Sequence, residues 1–216
     1  VPSNEWFQRV QEIAHDHGAL LVVDEVQTGY GRTGSLWASD HFDVTPDVLT
    51  QAKGIANGLP LGAFTASAEV ADSFESGDHL STFGGNPVTC AAALANVDEL
   101  QDGIVDNAAE QGAWLGDRLA DLEAEYDVVG DTRGLGLMYG VELVDPDEDG
   151  PMDVAAAPDA DLAKHVSQRL RDEGVVIGVG GFYKNVMRFQ PPLTISREQL
   201  ERAVDELEAA IDAETN

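Results

Sequence analysis

The feature that most constrains the fold is a short, wholly apolar segment that runs directly into two carboxylates. Residues 19–23, A-L-L-V-V, carry no polar side chain, and Asp24 and Glu25 follow at once. Such a run is typical of a strand in a parallel sheet whose faces are both covered by helices. We therefore expect residues 19–23 to form a strand buried on both faces, in a chain of the α/β class.

Asp24 stands where this strand ends. An ionised carboxylate there is costly unless it meets a cation or several hydrogen-bond donors. Ligands of α/β proteins bind outside the carboxyl ends of the strands, which makes Asp24 a candidate binding residue. A structural alternative is an ion pair with Arg32 or a helix cap. Glu25 alternates to the opposite side of the chain, and we expect it to serve the structure.

Helix and strand patterns alternate along the rest of the chain. Ser3 or Asn4 and the pair Asn86-Pro87 are typical of helix starts. Apolar periodicity predicts helices at 3–17, 86–100, 106–126, 159–173 and 196–213. Short apolar runs predict strands at 19–23, 47–53, 61–67, 136–144, 175–178 and 186–189. Residues 145–153 predict a polar surface loop, and a boundary in the long helix gives two domains, 1–100 and 101–216.

The charge balance restricts the partners of the chain. A net charge of -28, from 12 basic and 40 acidic residues, argues against binding to nucleic acid or to an anionic membrane. Of the basic residues only Lys53, Lys164 and Lys184 are lysines. This composition suits a halophilic protein kept soluble in concentrated salt, and an ordinary acidic cytosolic protein is the alternative. The single cysteine, Cys90, fits a reducing cytoplasm, and no apolar run is long enough to cross a membrane.

Lys53 is the second candidate for chemistry. It stands in Q-A-K-G, at the end of the next predicted strand. A desolvated lysine amine is the nucleophile of Schiff-base chemistry, whereas the alternative is a surface lysine extending from a strand end. Asp24 and Lys53 together suit pyridoxal phosphate, which needs a lysine for covalent attachment and an acid beside its pyridine nitrogen. The sequence therefore predicts that both side chains project into one cleft.

Three motifs in order carry a family resemblance. They are D-E-V-Q-T-G-Y-G-R-T-G at 24–34, Q-A-K-G-I-A-N-G-L-P-L-G-A at 51–63 and S-T-F-G-G-N-P-V-T-C-A-A-A-L-A at 81–95. With R-G-L-G-L-M-Y-G-V-E-L and V-M-R-F-Q-P-P-L-T-I further on, the sequence resembles the class III aminotransferases, which are pyridoxal phosphate enzymes of fold type I. The resemblance implies part of the large-domain sheet followed by the smaller carboxy-terminal α/β domain. Family members are about twice as long, so we expect this chain to be a carboxy-terminal half.

The resemblance also implies roles for individual residues. Lys53 would be the catalytic lysine that binds the cofactor covalently, and Asp24 would pair with its pyridine nitrogen. Gln27 would contact the ring oxygen or the neighbouring Schiff base. Thr82 would bind the cofactor phosphate of the partner subunit, which implies a homodimer. Arg188 would bind the substrate carboxylate, for which a guanidinium is well shaped; a surface ion pair is the alternative.

The expected activity is transfer of an amino group from an amino acid to a 2-oxo acid. The donor could be 4-aminobutyrate, another ω-amino acid, an ornithine derivative or alanine, with a lean towards the aminobutyrate and alanine–glyoxylate branches. An aminomutase or racemase would use the same Asp24 and Lys53, and an inactive remnant is a third possibility. The five histidines show no metal-ligand spacing, G-V-G-G at 178–181 is not a full nucleotide motif, and Cys90 is expected in the core.

Overall fold

The structure is a computed structural model that describes residues 1–151 and 156–215 of the 216. The chain divides into two compact units, unit 1 (Val1–Asn107) and unit 2 (Ala108–Asn216). Both units combine helices with a sheet, so the predicted α/β class is confirmed. Within the described ranges, no helix is long and apolar enough to span a membrane.

Unit 1 contains a three-stranded sheet with order β1-β2-β3. Its elements are α1 (Asn4–Asp16), β1 (Val22–Asp24), β2 (Val48–Gln51), β3 (Ala63–Ala66), α2 (Ala68–Ala71) and α3 (Pro87–Glu99). Strands β1 and β2 are parallel, whereas β2 and β3 are antiparallel. Short 3-10 helices at Ala38–Phe42 and Lys53–Ala56 follow β1 and β2. Because β1 and β2 are parallel, the chain between them returns to the end of the sheet where β1 began before β2 starts.

Local capping chemistry explains where the helices of unit 1 begin. The Ser3 hydroxyl accepts a hydrogen bond from the Trp6 amide at 3.2 Å, ahead of α1. The Asn86 side chain accepts from the Val88 amide at 2.9 Å, and Pro87 occupies the first position of α3. Each cap satisfies an amide that has no partner inside the helix. The predicted starts of both helices are confirmed to within a residue.

The predicted burial of the first strand is wrong. Strand β1 covers Val22–Asp24 instead of 19–23, and only Leu21 in this region is buried. Leu20 and Val22 are 54% and 55% exposed. In the described residues β1 is an edge strand that pairs with β2 alone, and these two side chains are only partly covered. An apolar run predicts a strand, but its burial depends on what packs against the strand.

Unit 2 contains an antiparallel sheet with order β4-β5-β8-β7, and β6 pairs with β5. Its elements are α4 (Val105–Glu125), β4 (Val129–Leu135), β5 (Met138–Asp145), β6 (Ala157–Pro158), α5 (Ala160–Asp172), β7 (Gly178–Gly180), β8 (Val186–Phe189) and α6 (Arg197–Thr215). Between α3 and α4, at Leu100–Ile104, the backbone leaves the helical conformation at Asp102 and Gly103, and Gly103 has φ +93°. This left-handed glycine interrupts the helical backbone.

The core of unit 2 is a single apolar cluster between its helices and its sheet. Branched aliphatic side chains dominate it, and most have no exposed surface. They include Leu115, Leu119 and Leu122 of α4, Val141 and Leu143 of β5, Val166 and Leu170 of α5, and Val204, Leu207 and Ile211 of α6. Because each such side chain contributes about 1.5–3 kcal/mol when fully buried, this cluster is the main stabilising feature of unit 2.

The strands of unit 2 differ from the prediction in three places. Strands β4 and β6 were not predicted, since V-G-D-T-R-G-L lacks apolar alternation and β6 has only two residues. The strand predicted at 175–178 is wrong, because the observed strand, β7, covers Gly178–Gly180. The G-V-G segment therefore forms the strand and does not follow it. Of the predicted loop 145–153, Asp145 ends β5, and residues 152–153 lie outside the described residues.

Candidate active site

The parallel pairing of β1 and β2 places Asp24 beside the segment that carries Lys53. Asp24 is in register with Thr50, so both strands end at the same edge of the sheet. The Thr50 hydroxyl donates a hydrogen bond to Asp24 Oδ1 at 2.9 Å, and the Val26 amide donates to the same oxygen at 3.0 Å. Lys53 begins its 3-10 helix two residues after β2 ends. This edge is where α/β proteins bind ligands.

Asp24 is held in its charged form. The Val26 amide lowers the pKa of the carboxyl most, followed by the Thr50 hydroxyl, and desolvation opposes them. The positive charge of Lys53 contributes the smallest part of the lowering of the Asp24 pKa. Asp24 is therefore ionised at neutral pH and exposed at the end of its strand. Asp24 and the turn that carries Lys53 lie at the same edge of the unit 1 sheet.

Lys53 has an unusual backbone conformation. Its φ of +43° lies in the left-handed region, which residues other than glycine rarely occupy. The turn is fixed from α3, because the Asn96 amide group donates to the Gly54 carbonyl at 2.7 Å and to the Ile55 carbonyl at 3.4 Å. Backbone conformations of this kind persist where surrounding contacts impose them, and they cluster at functional sites. Asn96 is thus a positioning residue that the sequence did not reveal.

The loop after β1 is organised around Glu25, which is 1% exposed. Glu25 Oε1 accepts from the Ser39 amide at 2.8 Å, and its other oxygen accepts from the Thr28 hydroxyl. This confirms the expected structural role. Gln27 is exposed on the same loop, close to the carboxyl end of β1.

A second contact ties this loop to the sheet. Tyr30 is buried with φ +59°, and its hydroxyl donates to Gln51 Oε1 at 2.6 Å. Gln51 in turn donates to the Thr65 hydroxyl at 2.7 Å. Such contacts between distant residues leave no local signal in a sequence.

The remaining predicted residues lie elsewhere. Thr82 is exposed ahead of α3, and no hydrogen bond in the described part of the chain joins it to Asp24 or Lys53. Arg188 is in β8 of unit 2, where it is half-buried and its guanidinium donates to Gln190 Oε1 at 3.0 Å. It lines a cavity of about 520 Å³. The predicted site residues therefore fall into three places: Asp24, Gln27 and Lys53 near the ends of β1 and β2, Thr82 ahead of α3, and Arg188 in unit 2.

Other candidates from the sequence have structural partners. His41 contacts the Thr33 carbonyl and hydroxyl, and His15 contacts Asp47. No group of three or more metal-ligating side chains occurs among residues 1–151 and 156–215. Cys90 is half-buried in α3, so the expected core position is only partly correct.

The residues at the edge of the unit 1 sheet fit pyridoxal phosphate. A carboxylate held ionised matches a protonated pyridine nitrogen, and an exposed lysine at the same edge of the sheet supplies the amine that a cofactor aldehyde requires. Thr50 supports the fit, because its hydroxyl keeps the Asp24 carboxylate charged. The role of Thr50 could not be predicted from the sequence alone, because it depends on the register of β1 and β2.

Comparison with known proteins identifies the family. The profile of Aminotransferase class-III matches residues 1–211. The leucine/methionine racemase of Thermococcus litoralis is 42% identical over 212 residues, covering 98% of this chain and 46% of that protein. The acetylornithine aminotransferase of Methanothermobacter thermautotrophicus is 41% identical over 208 residues, covering 96% of this chain and 49% of that protein.

A solved structure agrees with these relatives. The amine transaminase of an uncultivated Pseudomonas species, determined in its PLP-bound form, superposes with a TM-score of 0.88 at 35% identity. The match covers 99% of this chain and 49% of that one. The chain spans about half the length of the curated relatives it matches. It belongs to the class-III aminotransferase family, whose members use pyridoxal phosphate and have the fold-type-I architecture.

Proposed function

We propose that this chain forms part of a pyridoxal phosphate-dependent transaminase that moves an amino group from an amino acid to a 2-oxo acid. The observation that carries the proposal is the ionised Asp24 beside Lys53 at the shared edge of β1 and β2. When bound, pyridoxal phosphate would supply an electron sink for the carbanion formed at the carbon that bears the substrate amine. The amino donor in this proposal is 4-aminobutyrate or another ω-amino acid.

Four residues of the chain have separate roles in the proposed reaction. Asp24 keeps a proton on the pyridine nitrogen, because its carboxylate remains charged at neutral pH. Lys53 Nζ would bind the cofactor and would then move a proton at the carbon that bears the substrate amine. Gln27 would contact the ring oxygen or the neighbouring Schiff base. Arg188 would bind the substrate carboxylate through its paired N–H groups and so orient the substrate.

The domains and the assembly belong to the same proposal. Residues 1–100 are assigned to the large, cofactor-binding domain and residues 101–216 to the small domain, a division supported by the two compact units. Thr82 is assigned to the cofactor phosphate of a partner subunit in a homodimer. Exposed apolar side chains near it, Leu80 and Phe83, support an interface in this part of unit 1.

The cellular setting is also proposed. A net charge of -28 with three lysines supports a cytoplasmic protein of a halophile, because a dense carboxylate surface stays solvated in concentrated salt. We expect the unfolding midpoint to rise steadily as KCl is increased to molar concentrations, since added salt screens the repulsion among carboxylates. A midpoint that does not depend on salt would contradict this assignment.

A racemase is the second candidate. Its support is the 42% identity to the leucine/methionine racemase, and the same Asp24 and Lys53 would serve it. The two functions differ in their need for an acceptor. A transaminase requires a 2-oxo acid for turnover, whereas a racemase inverts the α-carbon of a single amino acid without one. An inactive remnant, the third possibility, would fail to retain the cofactor.

The first test is covalent capture of the cofactor. The purified chain is mixed with pyridoxal phosphate in concentrated salt, and the visible absorbance is recorded before and after borohydride. We expect a band that borohydride abolishes while fixing the cofactor to Lys53, as read by peptide mass spectrometry. Lys53→Ala should lose both the band and the labelled peptide.

Lys184 provides a matched control. It is also a lysine with a positive φ, +64°, and it lies in unit 2. Lys184→Ala should retain the band. Labelling that is spread over the lysines, or that survives in Lys53→Ala, would refute the assignment of Lys53. Amino acid conversion with and without 2-oxoglutarate then separates the transaminase from the racemase.

A further inference from the structure

Strand β7 has an unusual composition, because glycine occupies both its first and its last position, Gly178 and Gly180. Glycine weakens strands and often marks a place where another group approaches closely. Neither residue has a positive φ, so the backbone at both positions would accept alanine. Backbone conformation therefore does not account for glycine at these positions, and the space that a Cβ would occupy has to be considered.

The side chain of Arg188 takes up this space. In the sheet Arg188 lies directly between two glycines, with Gly140 opposite it on β5 and Gly178 opposite it on β7. A Cβ added at Gly180 would lie 2.8 Å from Arg188 Cδ, whereas one added at Gly178 would lie 3.9 Å from Arg188 Cβ. The arginine side chain therefore extends diagonally across β7 and covers Gly180.

The far end of the same side chain is also held. The guanidinium donates to Gln190 Oε1 at 3.0 Å, and Gln190 follows Arg188 on the same side of the chain. An arginine has several rotatable bonds, and a free one loses much conformational entropy when it binds a ligand. A guanidinium that is already directed by its neighbours loses less and binds a carboxylate more tightly.

We propose that Gly180 is a positioning residue for Arg188. The absence of a Cβ at position 180 lets the arginine lie across β7 and gives its guanidinium one direction, so Gly180 determines how well the chain binds carboxylate substrates. This inference rests on the proposed role of Arg188. Any side chain at position 180 displaces Arg188 Cδ and turns the guanidinium away from that direction.

The test compares two alanine substitutions in the same strand. Gly180→Ala and Gly178→Ala add one methyl group each, on the same side of β7, but only the first meets Arg188 at 2.8 Å. In the labelled full chain, the nuclear Overhauser effect between Arg188 Hδ and residue 180 reports the direction of the side chain. Calorimetric titration with 2-oxoglutarate reports carboxylate binding, and its dimethyl ester serves as the uncharged control ligand. Urea unfolding checks that both variants are folded alike.

We expect Gly178→Ala to bind 2-oxoglutarate like the unmodified chain and Gly180→Ala to bind it about tenfold more weakly. The Overhauser effect between Arg188 Hδ and residue 180 should disappear in Gly180→Ala. Binding of the ester should be equal in both variants. Equal 2-oxoglutarate affinities, or an unchanged Overhauser effect in Gly180→Ala, would overturn the positioning role. Arg188→Ala distinguishes failure of the role proposed for Gly180 from failure of the role proposed for Arg188. Undiminished 2-oxoglutarate binding in that variant would refute the role of Arg188, and the inference about Gly180 with it.

Discussion

The two units of the chain use their apolar side chains in opposite ways. In unit 2 the large aliphatic residues of three helices meet over the sheet, and Leu119, Leu207 and Ile211 have no exposed surface. In unit 1 most large apolar side chains remain in contact with solvent, and Phe83 is 82% exposed. Its loops are held by polar contacts such as those of Glu25 and Tyr30. We infer that packing stabilises unit 2, whereas hydrogen bonds give the candidate site in unit 1 its shape.

The largest expected difference in stability between the two units comes from removing one core leucine. Leu119→Ala in α4 should lower the free energy of unfolding of unit 2 by about 2–5 kcal/mol, because a buried cavity replaces the side chain. Leu94→Ala is the matched control, since Leu94 is also in the middle of a helix but is 68% exposed in unit 1. Its expected cost is within about 0.5 kcal/mol. Hydrogen exchange resolved by residue measures both, and similar losses of stability would contradict the comparison.

Two glycines of α4 test how closely unit 2 is packed. A Cβ at Gly112 would lie 2.3 Å from the Gly136 backbone, whereas one at Gly116 would lie 2.3 Å from the Tyr139 hydroxyl oxygen, at the end of a side chain. We expect Gly112→Ala to destabilise unit 2 by about 1–3 kcal/mol, since backbone cannot give way as a side chain can.

Gly116→Ala is the control for that substitution. It gains up to about 1 kcal/mol of helix propensity, as Gly112→Ala also does, so its net effect should be small. Urea unfolding followed by circular dichroism gives both values. If Gly116→Ala were the more damaging of the two, the close approach of α4 to the Gly136 backbone would not be limiting.

In unit 1 the largest effect should come from a polar residue. Glu25→Gln keeps the size of the side chain but replaces one acceptor oxygen by an amide, so the Ser39 amide or the Thr28 hydroxyl loses its partner. We expect a cost of about 1–2 kcal/mol and faster hydrogen exchange in the loop at 26–39. Glu12→Gln is the control, because Glu12 is exposed and pairs only with Arg9 at the surface. Equal exchange rates in the two variants would contradict the role of Glu25.

The sequence predicted those parts of the fold that depend on neighbouring residues. Ser3 and Asn86 begin helices through side-chain contacts two to three residues away, and such contacts are visible in the sequence. The location of Asp24 and Lys53 at one edge of the sheet was predictable because each follows a predicted strand, and parallel strands end at one edge.

The features that were not predicted depend on distant residues. Strand β4 contains two glycines and two charged residues and is recognisable only through its pairing with β5. Strand β7 consists of G-V-G, which has little intrinsic strand preference, and it is fixed by β8 and by the arginine across it. The hydrogen bonds from Asn96 to the turn that carries Lys53 join residues more than 40 positions apart. Positions of this kind are set by tertiary packing and cannot be found from local patterns.

The smallest expected effect concerns pH and again distinguishes unit 1. The pKa of the Asp47 carboxyl is lowered, first by its hydrogen bond with His15 and then by the Leu21 amide, and desolvation opposes both. A carboxyl whose pKa is lower in the folded state stabilises the fold above its unfolded value of about 3.9, and the contribution is lost as the pH falls through the folded value.

The free energy difference between the unmodified chain and Asp47→Asn should therefore be largest near neutral pH and shrink below about pH 4. His15→Ala should raise the Asp47 pKa towards its ordinary value, because it removes the largest cause of the shift. NMR titration of the Asp47 carboxyl carbon measures the pKa directly, and urea unfolding at several pH values measures the linked stability. Asp98→Asn, on the exposed surface of α3, is the control substitution. A constant difference for Asp47→Asn across this range would mean that the contact between α1 and the start of β2 stabilises unit 1 through shape and not through charge.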